Sequence, residues 1–274
     1  MIAFPNAKIN LGLKVVEKRP DGFHNIETVF YPIPLCDILE ILPATPSLPG
    51  FITSGLPIPG PDAGNLCLKA RDILQASFPA AFSSSPAICL HKQIPMGAGL
   101  GGGSSDGAFA LKMLDALFSL NAGQDKLRGM AAVLGSDCPF FLYNKPVFAQ
   151  GRGDVFSDVT VNLRGYKLVV VVPPVHVSTA EAYSMLKPAR PEIPVSEIVQ
   201  SPVEEWKDRL NNDFEKPVFE KYPLVREVKE RLYASGAIYA SMSGSGSAVF
   251  GLFPRGLTVD TSFPGDHFVF SSDL

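Results

Sequence analysis

A chain of 274 residues with 46% apolar side chains can bury a sizeable core, as one large domain or two ordinary ones, and is too apolar for global disorder. Its 24 basic and 27 acidic residues leave a net charge of −3, which points away from nucleic acid and from anionic membrane surfaces, so a small anionic ligand would need locally placed cations. The N-terminus lacks the charged-then-apolar pattern of a signal peptide, and the longest apolar run, Leu168 to Pro174, is too short to span a bilayer. Cys36, Cys67, Cys89, Cys138 and the four histidines show no metal spacing, so the chain reads as soluble and cytoplasmic, with buried thiols.

From Ile9 the apolar residues alternate through Leu11, Leu13 and Val15, which predicts a strand with one buried face. Lys8 and Asn10 share the opposite face, where pattern alone gives a solvated lysine and a polar edge residue. Pro20-Asp-Gly22 signals a turn, followed by Phe23 and His24. These two are either a hairpin loop with one aromatic on the core, or a ring for stacking with polar groups beside it. Ile26–Tyr31 and Asp37–Leu42 read as strands, and the Pro-, Gly- and Ser-rich stretch from Pro43 to Pro61 as strand ends and loops. Leu66, Ala70, Ile73 and Leu74 fall on helical spacing within Asn65–Phe78, closed by Pro79. Ala87–Leu90 is a short strand.

Then comes Pro95-Met-Gly-Ala-Gly-Leu-Gly-Gly-Gly-Ser-Ser-Asp-Gly-Ala108, with five glycines in the seven residues from Gly97 to Gly103. Leu111, Leu114, Leu117 and Phe118 continue it as an amphipathic helix, for which Ser104 or Ser105 is a suitable N-cap. A glycine loop opening a helix presents free N–H groups and the positive end of the helix dipole, a cradle for polyphosphate. The dinucleotide fingerprint is formally matched by Gly97, Gly99 and Gly102, but Lys92–Met96 separate it from the preceding strand and no acidic residue ends a second strand about twenty positions on. The Walker pattern fails because Gly103 stands where its lysine belongs. The loop must hold phosphate with backbone and hydroxyls, and the cation must come from elsewhere. The bland alternative is a flexible linker.

Gln124–Leu134 predicts a second helix with Gly135 at its C-terminal cap. Ser136-Asp-Cys-Pro-Phe-Phe-Leu142 starts another, where Asp137 is either a simple cap or a functional carboxylate favoured by the helix dipole. Gln150-Gly-Arg-Gly-Asp154 is a turn and a domain boundary, dividing the chain into residues 1–153 and 154–274. Lys167–Val172 reads as a buried strand. Ser178–Tyr183 begins a helix, Ser201-Pro-Val-Glu-Glu another, and Pro223–Ala234 a third with Leu224, Val228 and Leu232 on one side. Ser241-Met-Ser-Gly-Ser-Gly-Ser247 is, taken alone, a flexible turn. Strands follow at Ala248–Phe253 and His267–Phe270.

Three segments in this order, Pro5–Leu13, Pro95–Ser105 and Ser243–Phe250, resemble the GHMP kinase superfamily of small-molecule kinases. Asp21-Gly-Phe-His-Asn25, Gly64-Asn-Leu66, the uninterrupted Gly101–Ala108 and Gly135–Phe141 are most similar to the members that act on 4-diphosphocytidyl-2-C-methyl-D-erythritol in the non-mevalonate isoprenoid pathway. The resemblance runs along nearly the whole chain and implies an α+β, two-lobed GHMP kinase fold: an N-terminal lobe with a left-handed βαβ unit, a ferredoxin-like C-terminal lobe, and the active site in the cleft. It implies transfer of the γ-phosphoryl group of ATP, with Mg²⁺, to the substrate's 2-hydroxyl, in a monomer or weak dimer.

Residue by residue, Lys8 and Asp137 match the catalytic pair and Asn10 the acceptor pocket. Phe23 and His24 match the cytosine grip, with Tyr183 as the opposite wall of the base sandwich. Pro95, Met96, Gly97, Ala98, Gly99, Leu100, Gly101, Gly102, Gly103, Ser104 and Ser105 match the ATP-phosphate loop, with Asn65 and Lys92 near the nucleotide. Phe23 stands where tyrosine is frequent, which keeps stacking and drops a hydroxyl. The residue types suit phosphoryl transfer, which asks mainly for positioning and charge stabilisation. Lys8 replaces the missing loop lysine, Ser104 or Ser105 adds a hydroxyl for Mg²⁺ or phosphate, and Asp137 orients the substrate hydroxyl. The alternatives are another GHMP kinase, acting on a sugar, an amino acid or mevalonate, and a nucleotide-binding regulator without transfer activity.

Overall fold

The structure is a computed structural model and describes residues 1–43, 49–82 and 84–274. Strand β1 (Ile2–Ala3) precedes β2 (Asn6–Lys18), which turns into β3 (His24–Cys36). The Asp21 carboxylate closes that turn by accepting from the Phe23 amide, 3.1 Å, and from the Arg19 guanidinium, 2.9 Å. The expected single buried face of β2 is corrected: both faces of its first eight residues are buried, with Lys8 3% and Asn10 2% exposed. β4 (Ile38–Leu42) and β5 (Phe51–Gly55) follow. β5 lies in the stretch read as loops, of which residues 44–48 are outside the described residues.

Helix α1 (Leu66–Ser77) is capped by Asn65, whose Oδ1 accepts from the Cys67 amide at 2.9 Å. β6 (Ala87–Lys92) runs two residues further than its apolar core predicts. Helix α2 (Gly102–Leu117) has Gly101 as its cap, at φ 73°, so Ser104 and Ser105 fall inside the first turn and neither is the N-cap. A left-handed cap residue without Cβ starts the helix earlier than the serines would have done. α3 (Gln124–Leu134) ends at Gly135 in extended backbone, φ 170°, rather than in a left-handed cap. α4 (Cys138–Tyr143), β7 (Val147–Gln150), β8 (Val155–Asp158) and β9 (Tyr166–Val172) complete the middle of the chain.

α5 (Thr179–Ser184) and α6 (Val195–Ile198) are short. The helix expected from Ser201 is only a 3-10 turn, Val203–Glu205, because the buried Trp206 donates its indole N–H back to Ser201 O at 2.9 Å and reverses the chain. α7 (Glu215–Lys221) and α8 (Pro223–Ala234) follow, α8 burying Val225 with Val228 and Leu232 in place of Leu224. β10 (Tyr239–Met242), β11 (Val249–Pro254) and β12 (Phe268–Asp273) end the chain. No described helix is long and apolar enough to cross a membrane.

Two compact units interleave in sequence. The first comprises Met1–Ala7, Leu35–Met96 and Gly101–Lys145, the second Lys8–Pro34, Gly97–Leu100 and Pro146–Leu274. In the first, a sheet of order β1-β4-β6-β5 carries α1 as the crossover between the parallel neighbours β5 and β6, and α1 and α4 pack on α2. In the second, one sheet has order β2-β3-β7-β8 and the other β10-β11-β9-β12. Counted along the chain the latter is 2-3-1-4, antiparallel throughout, the ferredoxin-like arrangement, although residues 255–267 between β11 and β12 form no helix. Leu13, Val15, Val169, Val171, Val218 and Val228 share the core of this unit.

The buried Asn212 ties that core to the 243–247 loop. Its Nδ2 donates to Met242 O and Gly244 O, both 2.8 Å, and its Oδ1 accepts from the Phe214 amide at 3.0 Å. Asn212→Ala leaves these groups buried without partners and is expected to cost about 2–4 kcal/mol of unfolding free energy in urea titration. A loss below about 1 kcal/mol would show the three bonds to be dispensable.

Candidate active site

Two glycine loops meet at Gly99. Its φ of +82° already disfavours a side chain, and a Cβ there would stand 2.0 Å from Ser243 O; a Cβ on Gly244 would stand 3.2 Å from the Gly99 Cα. The Ala248 amide donates to Ala98 O at 3.0 Å. The Gly99 carbonyl accepts from Lys8 Nζ at 2.9 Å and from Ser243 Oγ at 2.8 Å. Lys8 Nζ also donates to Asn10 Oδ1 at 2.6 Å and lies 5.1 Å from the centre of the Phe30 ring. Asn10 in turn donates from Nδ2 to Thr28 Oγ1 at 3.0 Å, and Thr28 donates to Gly12 O at 2.5 Å. Lys8 is therefore no solvated surface lysine. Asn10 aims it, and Ser243, which sequence reasoning left without a role, braces the same carbonyl.

At the other end of the loop, α2 presents its first-turn amides, which have no intrahelical acceptor by position. A Cβ on Gly102 would stand 2.8 Å from Ile94 Cγ2, whereas one on Gly103 would meet only Met96 at 3.5 Å. Of the two serines, Ser105 is fully buried and its hydroxyl has no hydrogen-bond partner within the protein. Ser104 is half-buried and hydrogen-bonds the Cys138 thiol, which burial pushes up to about 12. Asp137, next to that cysteine, is half-buried at the start of α4, and its carboxylate does not cap the helix. Pro95 is half-buried and Met96 exposed at the start of the loop.

Lys92 is corrected as a nucleotide contact. Its ammonium is fully buried between the carboxylates of Asp37 and Asp106, the latter at 2.7 Å. Burial works against that charge, but Asp106 and Asp37 outweigh it and hold its pKa above the usual lysine range. Asn65 likewise has its Oδ1 occupied as the α1 cap. The signal missed for Lys92 was its alternation with Ile88 and Leu90, which puts it on the buried face of β6.

The base sandwich is also corrected. Phe23 precedes β3 and His24 opens it, and one of the two rings meets Tyr183. That one is His24: its ring stacks on Tyr183 at 4.7 Å between centroids and 16° between planes. Phe214 meets Tyr183 edge-on at 4.9 Å. Phe23 is 53% exposed, with the Arg152 guanidinium 5.1 Å from its ring centre. Desolvation, with Lys18 nearby, lowers the His24 pKa and favours the neutral imidazole.

A fold with a ferredoxin-like sheet, a glycine loop opening a helix and a lysine on a remote strand defines a class, and the comparisons agree with it. The model for the "GHMP kinases N terminal domain" matches residues 65–145 and that for "GHMP kinases C terminal" residues 195–260. The chain is a GHMP kinase, and it belongs within that superfamily to the 4-diphosphocytidyl-2-C-methyl-D-erythritol kinase family. The Bacteroides fragilis enzyme of that name is 54% identical over 92% of each chain. That of Bacteroides thetaiotaomicron is 48% identical over the whole of both. A crystal structure of 4-(cytidine 5'-diphospho)-2C-methyl-D-erythritol kinase superposes with a TM-score of 0.78 at 35% identity, covering 92% of this chain and 90% of the other. Mevalonate kinase of Methanococcus jannaschii shares the fold, with a TM-score of 0.72 at 14% identity over 99% of this chain and 97% of the other.

Burial lifts the Asp106 carboxyl to about 7 even with Lys92 pulling the other way. Between the unfolded aspartate value of about 3.9 and this raised one, the native state binds more protons than the unfolded chain. The stability contributed by Asp106 is thus full below about pH 4 and is lost as pH rises towards 7. Asp106→Asn is expected to flatten the decline in unfolding free energy from pH 5 to 7.5; parallel wild-type and variant profiles would remove Asp106 from that dependence.

Proposed function

We propose that this chain transfers the γ-phosphoryl group of ATP to the 2-hydroxyl of 4-diphosphocytidyl-2-C-methyl-D-erythritol, a step of the non-mevalonate route to isoprenoid precursors, with the roles that follow. Amides between Met96 and Ser104 hold the nucleotide's phosphates. Lys8 supplies the positive charge that the loop lacks, stabilising charge on the transferred group, and Asp137 orients the acceptor hydroxyl. The observation that carries this reading is the Lys8 ammonium bonded to Gly99 O, which puts a buried cation on the glycine loop itself. A loose transition state asks little of a base, so an orienting carboxylate suffices.

A Mg²⁺ ion accompanying the nucleotide would need only one or two protein oxygens. Among the described residues no group of three His, Cys, Asp or Glu side chains could hold a metal alone. The Ser104 hydroxyl in the first turn of α2 is the residue of this chain suited to it. When bound, the ion neutralises phosphate charge.

For the acceptor, Phe23 offers the exposed stacking face, worth about 1–3 kcal/mol per base in nucleic-acid systems. Neutral His24 offers one donor and one acceptor to the pyrimidine edge, and a wrong base would leave these unpaired. Tyr183 holds His24 by stacking, and Asn10 holds Lys8. Transfer from ATP to one small acceptor needs neither nucleic acid nor membrane, and we assign the protein to the cytoplasm as a monomer or weak dimer.

Lys8→Ala and Asp137→Ala are each expected to lower kcat at least 100-fold, about 3 kcal/mol in the barrier, while ATP binding is largely retained; full turnover in either variant would refute its role. Phe23→Ala is expected to raise KM for the cytidine substrate far more than KM for ATP. Equal shifts in steady-state assays would move Phe23 out of the acceptor site.

A further inference from the structure

We propose that Lys92, Asp37 and Asp106 are positioning residues for ATP: one buried ammonium joins the two ends of the glycine loop and so sets how tightly the loop grips phosphate. This rests on the reading that the loop is the phosphate site.

The need for such a device follows from the loop. Gly97, Gly99 and Gly101 have φ values of 66°, 82° and 73°, and glycines lose the most conformational freedom on ordering. An anion site built from backbone N–H groups works only if those groups are already aimed. The middle of the loop is tied through the carbonyls of Ala98, Gly99 and Leu100, and the aim of the amides at either end rests on what holds those ends.

The ends are held by a single set of contacts. Before the loop, Asp37 Oδ1 accepts from the amides of Gln93 and Ile94, 2.6 and 2.9 Å, fixing the chain up to Pro95. Asp37 Oδ2 accepts from Lys92 Nζ. After the loop, Asp106 Oδ2 in the second turn of α2 accepts from the same Nζ at 2.7 Å. The ammonium lies beneath the helix start, 3.3 Å from where a Gly102 Cβ would be. Stability does not explain the arrangement. Three charges out of water are often no better than apolar residues of the same volume, and Asp106 Oδ1 is buried without a partner. Geometry is what the triad supplies that apolar residues would not.

The test uses the full-length enzyme, steady-state kinetics in both substrates and a thermal-unfolding check. Asp106→Ala is expected to raise KM for ATP at least tenfold while KM for the cytidine substrate stays within twofold and kcat within threefold. Asp106→Asn, which keeps an acceptor for Lys92, is expected to stay within threefold of wild type. Folded Asp106→Ala with unchanged KM for ATP, both KM values rising alike, or Asn no better than Ala would overturn the proposal. Should Asp106→Ala fail to fold, Asp37→Asn keeps the bonds to Gln93 and Ile94 and weakens only the ion pair; it is expected to raise KM for ATP at least threefold, and no change overturns the proposal. Gly103→Val, whose side chain has room, separates the two levels. If it too leaves KM for ATP unaltered, the loop is not the phosphate site and both readings fall; if it raises that KM and Asp106→Ala does not, only the triad's role is lost.

Discussion

One carbonyl oxygen organises this site. Gly99 O receives both the Lys8 ammonium and the Ser243 hydroxyl. It can do so only because Gly99 has no side chain, since a Cβ would stand 2.0 Å from Ser243 O. A side chain at Gly99 or Gly102 would run into Ser243 or Ile94, and the strand that brings the Lys8 ammonium to this carbonyl, β2, is itself pinned to the loop by Lys8 N–H to Leu100 O at 2.9 Å.

The two buried lysines show how differently an ammonium can be used. Lys8 donates to two neutral acceptors, Asn10 Oδ1 and Gly99 O, and lies against the Phe30 ring. Lys92 is paired with two carboxylates and turns no charge outward. Hydrogen bonds to a charged group are the stronger kind, so both lysines are rigidly fixed.

What could be read from residue order follows this division. Helix α3 and helix α8 were legible because strict apolar periodicity sets their length, and β9 because a continuous valine run has few other homes. The glycine loop was legible from composition alone as a turn that opens a helix. The burial of Lys92 was not, because its partners lie 55 and 14 residues away and periodicity carries no information at that range. Nor was the stacking of His24 on Tyr183, which depends on where β3 starts; a shift of one residue would have turned Phe23 inward instead. The cap of α2 was missed because a glycine at positive φ outcompeted two serines whose side chains favour caps on average.

The chain crosses between its compact units at residues 7/8, 34/35, 96/97, 100/101 and 145/146. Strands β2 and β3 and the glycine loop each run through such a crossing. Neither unit is therefore a continuous piece of gene. Exchange of a single contiguous segment between relatives therefore cannot replace either unit whole without importing part of the other.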